Sequence, residues 1–273
     1  MSTKKRKKIN WAAVLSGLFI FAGIAIFFYP IVGNWYANID RGKAITNYER
    51  QLEQMDPKEK AHELAQAQAY NRYLWGQQSG QPATPVAYKD TIKSSVMGYL
   101  DIPAIHMTKM PFYQGTTFAV LDKGLGHMQT TSIPVGGKNT RAVITGHSGI
   151  ENQTLFSDAE KLKKSDVFYV SVLGQKRAYR IDNLKVVTPD RIDAIKIEAN
   201  RDLVTLLTCT PIGINSHRLL VTGHRISLAE AAKDPVVARD TWSYQNKVLL
   251  ISALVLMSLF LYLIVKHRKR AKL

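Results

Sequence analysis

Cys209 is the only cysteine in a chain of 273 residues. It stands near the end of an apolar run, Leu203-Val204-Thr205-Leu206-Leu207-Thr208-Cys209-Thr210-Pro211. A lone thiol cannot close an intrachain disulfide or build a thiolate metal cluster. It is either a small buried hydrophobe or a nucleophile. A cysteine nucleophile needs a partner that stabilises thiolate and a donor aimed at the developing oxyanion. The histidines are His62, His106, His127, His147, His217, His224 and His267. His147 follows the apolar run Ala142-Val143-Ile144-Thr145, between Gly146 and Ser148-Gly149. Glycines at a strand end let a side chain project into an open site. His224, within Thr222-Gly223-His224-Arg225, has a similar setting, and residue chemistry alone leaves the two equal. Arg218 lies nine residues after Cys209, beyond a loop-like Thr210–Ser216. Two strands joined by that loop would set a guanidinium beside the thiol, where it can hold substrate and stabilise an acyl-transfer oxyanion. The competing reading is a surface arginine on a strand edge. No ligand pair has metal-binding spacing, so neither a metal nor a cofactor is expected.

The elements that must position these residues change character along the chain. From residue 96 the pattern is of short β-like runs: Val96–Ile102, Ala142–Thr145, Val167–Val172, Ala178–Val187, Leu203–Thr208 and Leu219–Thr222. Turn signals such as Gly136-Gly137, Leu173-Gly174 and Pro189-Asp190 separate them. That spacing predicts a closed barrel or sandwich over 96–228. Phe156–Lys163 reads as a short helix between strands. Upstream, Ile39, Ala44, Ile45, Tyr48, Leu52 and Met55 recur at helical steps. Asp56-Pro57 caps a second helix through Glu63, Leu64, Ala67 and Tyr70. Residues 34–75 are therefore predicted to form a helical hairpin. Residues 76–95 are expected to be a loop, long enough to be mobile or functional. Residues 229–247 read as a polar connector.

The two ends carry the topology. Trp11–Gly33 and Val248–Val265 contain no charged residue and are long enough to cross about 30 Å of hydrocarbon. Each is flanked on its terminal side by a basic tail, residues 1–10 and 266–273, with five Lys or Arg and no acid. Two flanking transmembrane helices with both tails cytoplasmic would place residues 34–247 outside the cell. A cleaved signal peptide is the alternative for the first span, but Asn34-Trp35-Tyr36-Ala37-Asn38 is a poor cleavage site. The net charge of +16 is mostly this topology signal: without the tails, 27 basic residues face 21 acidic ones. It is not a nucleic-acid footprint, since no Arg-rich helix, zinc knuckle or aromatic–basic interleaving accompanies it. An outside domain of this size can form its core without disulfides.

With those residues in view, Thr205-Leu206-Leu207-Thr208-Cys209-Thr210-Pro211 followed by Arg218 resembles the sortase signature, in which Thr-Leu-x-Thr-Cys ends one strand and an arginine begins the next. Thr145-Gly146-His147 resembles the family's catalytic histidine segment. Gly98-Tyr99-Leu100-Asp101-Ile102-Pro103, Pro111-Phe112-Tyr113-Gln114-Gly115-Thr116 and Gly124-Leu125-Gly126-His127 resemble further landmarks, so that the likeness covers roughly residues 96–228. The resemblance implies a mainly β fold, an eight-stranded sortase-type barrel. It implies that Cys209 attacks a threonine carbonyl of an LPXTG-like signal and that His147 pairs with the thiolate and protonates the leaving amine. Arg218 would bind the signal and stabilise the oxyanion. Thr208 and His127 would lie at the substrate.

The helical hairpin, the loop before the barrel and a second span resemble class C, the pilin-polymerising sortases. Partners would then be secreted pilin or surface proteins with LPXTG-like C-terminal signals, and an amine acceptor, either a pilin lysine or a peptidoglycan precursor. Two departures stand out. Residues 76–95 lack the Asp-Pro-aromatic motif with which class C enzymes cover their site, leaving Tyr88 as a possible lid, and Ser148 follows the histidine where arginine or threonine is commoner. A housekeeping anchoring sortase and a thiol hydrolase are the alternatives.

Overall fold

The computed structural model describes residues 11–149, 155–239 and 250–258. Its centre is a closed barrel of eight strands: β1 Val96–Ile102, β2 Met107–Gln114, β3 Leu125–His127, β4 Thr140–Thr145, β5 Val167–Val172, β6 Gln175–Val187, β7 Asp202–Thr210 and β8 His217–Ile226. Around the barrel they run β1-β2-β3-β4-β7-β8-β6-β5. Closure removes every sheet edge. The interior is filled by buried apolar side chains, among them Leu100, Phe112, Ile144, Phe168, Val204 and Leu206.

Six of these strands match the alternation read from the sequence. β2 and β3 do not announce themselves. β2 contains Pro111 and two exposed positions near its start, Thr108 and Lys109, with Lys109 at a positive φ. β3 is three residues long. Each is held as a strand by its neighbours: β2 pairs antiparallel with β1 and parallel with β3, and β3 antiparallel with β4. The region expected as a helix at Phe156–Lys163 is turns followed by a single 3-10 turn, Ala159–Lys161.

The helical part differs from expectation at two points. The first membrane span and the first arm of the hairpin are one continuous helix, α1, Trp11–Gln54, with Pro30 inside it. The second arm, α2, Pro57–Ser79, starts where Asp56 accepts from the Lys58 amide, but passes Gly76 and ends only before Gly80. Gly80 is the terminator, in the left-handed conformation at φ 71°. Gly76 is in the helix for a different reason. The chain folds back over it, so that a Cβ there would lie 2.5 Å from the Ala83 Cβ. The loop before the barrel is correspondingly shorter.

The hairpin is bonded to the barrel. Tyr48 donates to the Met97 carbonyl at 3.1 Å and accepts from the Leu173 amide at 3.0 Å. The buried Asn71 amide donates to the Ile133 carbonyl at 2.9 Å and accepts from its N–H at 2.7 Å. Gln78 makes the same two-bond clamp on Ile197.

α1 is, among the described residues, the single helix long and apolar enough to cross a membrane. Half of the expected second span, 248–265, lies outside the described residues. Its described portion, 250–258, is helical with mostly exposed side chains.

Candidate active site

Cys209 and Arg218 face each other as Cα partners on the antiparallel pair β7–β8, close to the loop that joins them. The sequence spacing required this: a hairpin-like connection brings its flanking residues into register. The Cys209 side chain is partly exposed, while Thr208 and Thr210 on either side are buried. Arg218 Nη1 donates to the carbonyls of Asn215 and His217 at 3.1 and 3.0 Å, which fixes one edge of the guanidinium against its own loop.

His147 arrives from a different direction. β4 runs parallel to β7, with Thr145 opposite Leu207, so both strands end on the same rim of the barrel. Beyond β4 the backbone stays laced to β7. The Gly146 amide donates to the Leu207 carbonyl at 3.1 Å, the Thr208 hydroxyl to the Gly146 carbonyl at 2.8 Å, and the Ser148 hydroxyl to the Cys209 carbonyl at 2.6 Å. His147 thus sits between two tethered residues, partly exposed. Its own carbonyl accepts from the Phe156 amide at 3.0 Å. Gly146 allows the close approach, since a Cβ there would meet Leu125 Cδ2 at 2.5 Å.

His224, which residue chemistry left equal to His147, pairs with Leu203 at the other end of β7–β8 from Cys209. Six residues of strand separate it from Arg218, about 20 Å. Its Nδ1 lies 3.0 Å from Asp182 Oδ2. The carboxylate of Asp182 also pairs with Arg201, which pairs with Glu198, which pairs with the buried Arg141. His224 belongs to this ionic chain bracing the β6–β7 connection.

The remaining expected residues fall as follows. Thr208 is buried, and its hydroxyl is engaged by Gly146. His127 is wholly buried, with Nε2 2.8 Å from the Ser132 carbonyl and Nδ1 2.9 Å from the Tyr88 hydroxyl. Nε2 therefore carries the proton and Nδ1 accepts from Tyr88. Burial holds its pKa down to about 4, so the ring is neutral at physiological pH. Tyr88 stacks on His127 with centroids 5.6 Å apart and planes 10° apart, and its ring also meets that of Tyr70, tilted, with centroids 5.7 Å apart. Burial raises its phenol pKa strongly. The chain just after it is fixed too: Thr91 and Ile92 are fully buried, and the Gln114 side chain donates to the Ile92 carbonyl.

Three contributors were not singled out from the sequence. Ser148 drew notice only as an unusual residue, although it is bonded to Cys209. Glu160 accepts from the Thr210 hydroxyl at 2.5 Å, beside the nucleophile. Phe118, at the start of the one-turn α3 (Phe118–Leu121), is 81% exposed, and its ring lies over His147 with centroids 6.3 Å apart. An exposed aromatic beside a histidine carries no local sequence signal.

On one rim of the closed barrel a thiol thus stands between a guanidinium on β8 and an imidazole just beyond β4, the set of groups that cysteine acyl transfer needs. Residues 100–226 match the family model of the sortase domain. Sortase C of Clostridium perfringens, solved with its C-terminal cell wall sorting motif, is 40% identical, with a TM-score of 0.62 over 68% of this chain and 99% of that one. Sortase C of Streptococcus pneumoniae is 39% identical, with a TM-score of 0.60 over 68% of this chain and 97% of that one. Sortase A of Bacillus anthracis is 29% identical over 138 residues, which are 50% of this chain and 63% of that protein. The chain belongs to the sortase family.

Proposed function

We propose that this chain is a membrane-anchored cysteine transpeptidase of the pilin-polymerising kind. One observation carries the reading: Cys209 lies opposite Arg218 on β7–β8, while the His147 segment is tied by Ser148 to the Cys209 carbonyl. Similarity to sortase C enzymes at about 40% identity supports the class, and the pneumococcal relative is an enzyme with pilin substrate specificity.

In the first half-reaction the Cys209 thiolate attacks the threonine carbonyl carbon of an LPXTG-like signal. The tetrahedral oxyanion forms beside the Arg218 guanidinium, the one fixed cation on that strand pair next to Cys209. His147 as imidazolium gives its proton to the departing amine nitrogen; the C–N bond breaks and a thioester remains on Sγ. In the second, a lysine amine attacks the thioester and passes a proton to His147, and the Cys209 thiolate leaves. The thiolate–imidazolium pair is restored. Transfer prevails over hydrolysis only if the amine is positioned ahead of water. α1 holds the barrel at the membrane, with the catalytic domain outside the cell, where tethered substrates have a raised effective concentration.

Thr208 and Ser148 act as positioning residues for His147, and Tyr88 caps His127. That assignment makes Tyr88 a fixed plug in the barrel wall, and leaves Cys209 without an Asp-Pro-aromatic cover. The experiment is incubation of the full chain in detergent with a fluorogenic LPXTG peptide, with and without an amine acceptor. Acceptor-dependent product selects transfer, and acceptor-independent cleavage selects hydrolysis. A pilin pair joined by an isopeptide bond selects the polymerase over the wall-anchoring alternative.

A further inference from the structure

The course of α1 fixes which end of the barrel faces the membrane. Its C-terminal part lies at the end opposite Cys209. Tyr48 accepts from the Leu173 amide in the β5–β6 turn, and a Cβ on the neighbouring Gly174 would meet Leu52 Cδ1 at 3.9 Å. That turn begins β6, whose other end, Val187, pairs with Arg218. Toward its N-terminus α1 climbs to the rim that carries Cys209. There Arg41 donates to the Lys123 carbonyl, just before β3, whose Gly126 pairs with Thr145 at the end of β4. In the same direction follow Tyr36 and Trp35, both exposed, and then the uncharged run 11–33. Exposed aromatics at the end of an apolar run mark the boundary between lipid and water. Tyr36 precedes Arg41 by about 8 Å of helix.

The chain beyond the barrel returns to the same side. β8 ends at Ile226, far from the rim, yet by Arg239 the backbone has come back. The Arg239 amide donates to the Ala104 carbonyl at 2.7 Å, just past the end of β1, and its guanidinium pairs with Asp166 at 2.6 Å, just before β5. Both neighbours are on the rim side, because β5 runs antiparallel to β6 and to β1. The rim itself is apolar and basic. Phe118 in the β2–β3 connection and Ile214 in the β7–β8 loop are 81% and 72% exposed, and Ile212 is exposed beside Ile214. Lys163 and Lys164, before β5, are exposed and form no ion pair among the described residues. The acids next to them, Asp158 and Asp166, are taken by Lys161 and Arg239.

We propose that the rim carrying Cys209 docks on the surface of the membrane that α1 crosses. Phe118, Ile212 and Ile214 meet the lipid interface, and Lys163 and Lys164 meet anionic headgroups. The partner is assigned by continuity: α1 enters the bilayer just beyond its contact with the rim, and residues 235–239 return to that side. It is assigned by chemistry too, since apolar tips beside unpaired lysines are what binds a lipid interface. Cys209 and His147 would then work at the level of the headgroups, and a reacting chain would enter sideways, between barrel and lipid. The proposal goes beyond the transpeptidase reading and depends only on α1 crossing the membrane.

The test uses the full chain in nanodiscs of anionic lipid, some of it carrying a nitroxide quencher on the headgroup. Cys209 is the only native cysteine, so in a Cys209→Ala background each engineered cysteine carries the one fluorophore. Ile214→Cys and Lys164→Cys report on two sides of the rim. Gln54→Cys, at the last residue of α1, reports on the far end, about 32 Å of helix from Gly33. The expected result is quenching at 214 and 164 at least about threefold stronger than at 54, because tips that dock enter the headgroup layer. Equal quenching at 214 and 54 would overturn the proposal. Quenching at 214 without 164 would also overturn it, since one loop tip rather than the rim would then meet lipid. Ile214→Cys that forms a disulfide with a second copy would assign the tips to self-association and contradict the proposal. Phe19→Cys, with the nitroxide moved deep into the acyl chains, reports on the anchor: a label there that escapes quenching would remove the span, and the proposal with it. Peptide cleavage enters none of these readouts, so failure of the transpeptidase reading is seen separately.

Discussion

Ser148 donates its hydroxyl proton to the Cys209 carbonyl at 2.6 Å. The residue that follows the histidine is thereby bonded to the backbone of the nucleophile. The His147 segment is thus held to the Cys209 backbone by one short contact, reinforced by the Thr208 hydroxyl donating to the Gly146 carbonyl.

Ser148→Ala removes this tether without touching either reacting atom. A misplaced general acid costs turnover more than binding. We expect kcat to fall about tenfold with KM nearly unchanged, in steady-state assays on an LPXTG peptide. Unchanged kcat would mean that Ser148 does not position His147.

Arg218 tests the oxyanion assignment. Its guanidinium is fixed by the Asn215 and His217 carbonyls. Arg218→Ala should lower kcat/KM by about 10²–10³-fold, the usual cost of losing such a donor. Arg218→Lys should recover only part of this, since it restores charge but not the planar fork. Full recovery by lysine would reduce the role of Arg218 to charge alone.

His127 makes stability depend on pH. Its folded pKa is held down at about 4, below the ordinary 6.5, chiefly by burial. The unfolded chain binds a proton below about pH 6.5 that the folded one refuses until about pH 4. The stability is therefore fully present above pH 6.5 and is lost as pH falls toward 4, by about 3 kcal/mol in total. His127→Gln keeps a donor and an acceptor but cannot titrate. Urea unfolding of the two proteins at pH 7.5 and 4.5 should show a larger loss for the wild type; equal losses would exclude His127 as the source.

Asn71 carries the attachment of α2. Asn71→Ala leaves the Ile133 N–H without its partner and removes one of the two bonds to the Ile133 carbonyl, which keeps the Val135 amide at 2.8 Å. We expect a loss of about 2–4 kcal/mol in urea unfolding, with Asn71→Asp intermediate, because a carboxylate keeps the acceptor but not the donor.

The parts of this molecule legible in its sequence are those fixed by neighbours along the chain. Cys209 and Arg218 flank one loop, so their pairing followed from spacing. His147 and His224 looked alike because each ends an apolar run after a glycine. What separates them is the parallel pairing of β4 with β7, and no local pattern reports a contact between residues 62 apart. Pro111 and the exposed start of β2 concealed a strand that its partners impose. Gly76 looked like a breaker because the return of Ala83 across it is a tertiary fact. Tyr88 read as a possible lid from its loop, and its bond to His127, 39 residues away, is another contact that no local pattern reports.

The most direct test of the account is intact-mass measurement of the full chain after incubation with an LPXTG-containing peptide. The expected result is an added mass equal to the acyl fragment ending in threonine, located on Cys209, absent from Cys209→Ala and discharged by an added amine. Folded wild-type protein that acquires no such mass would contradict it.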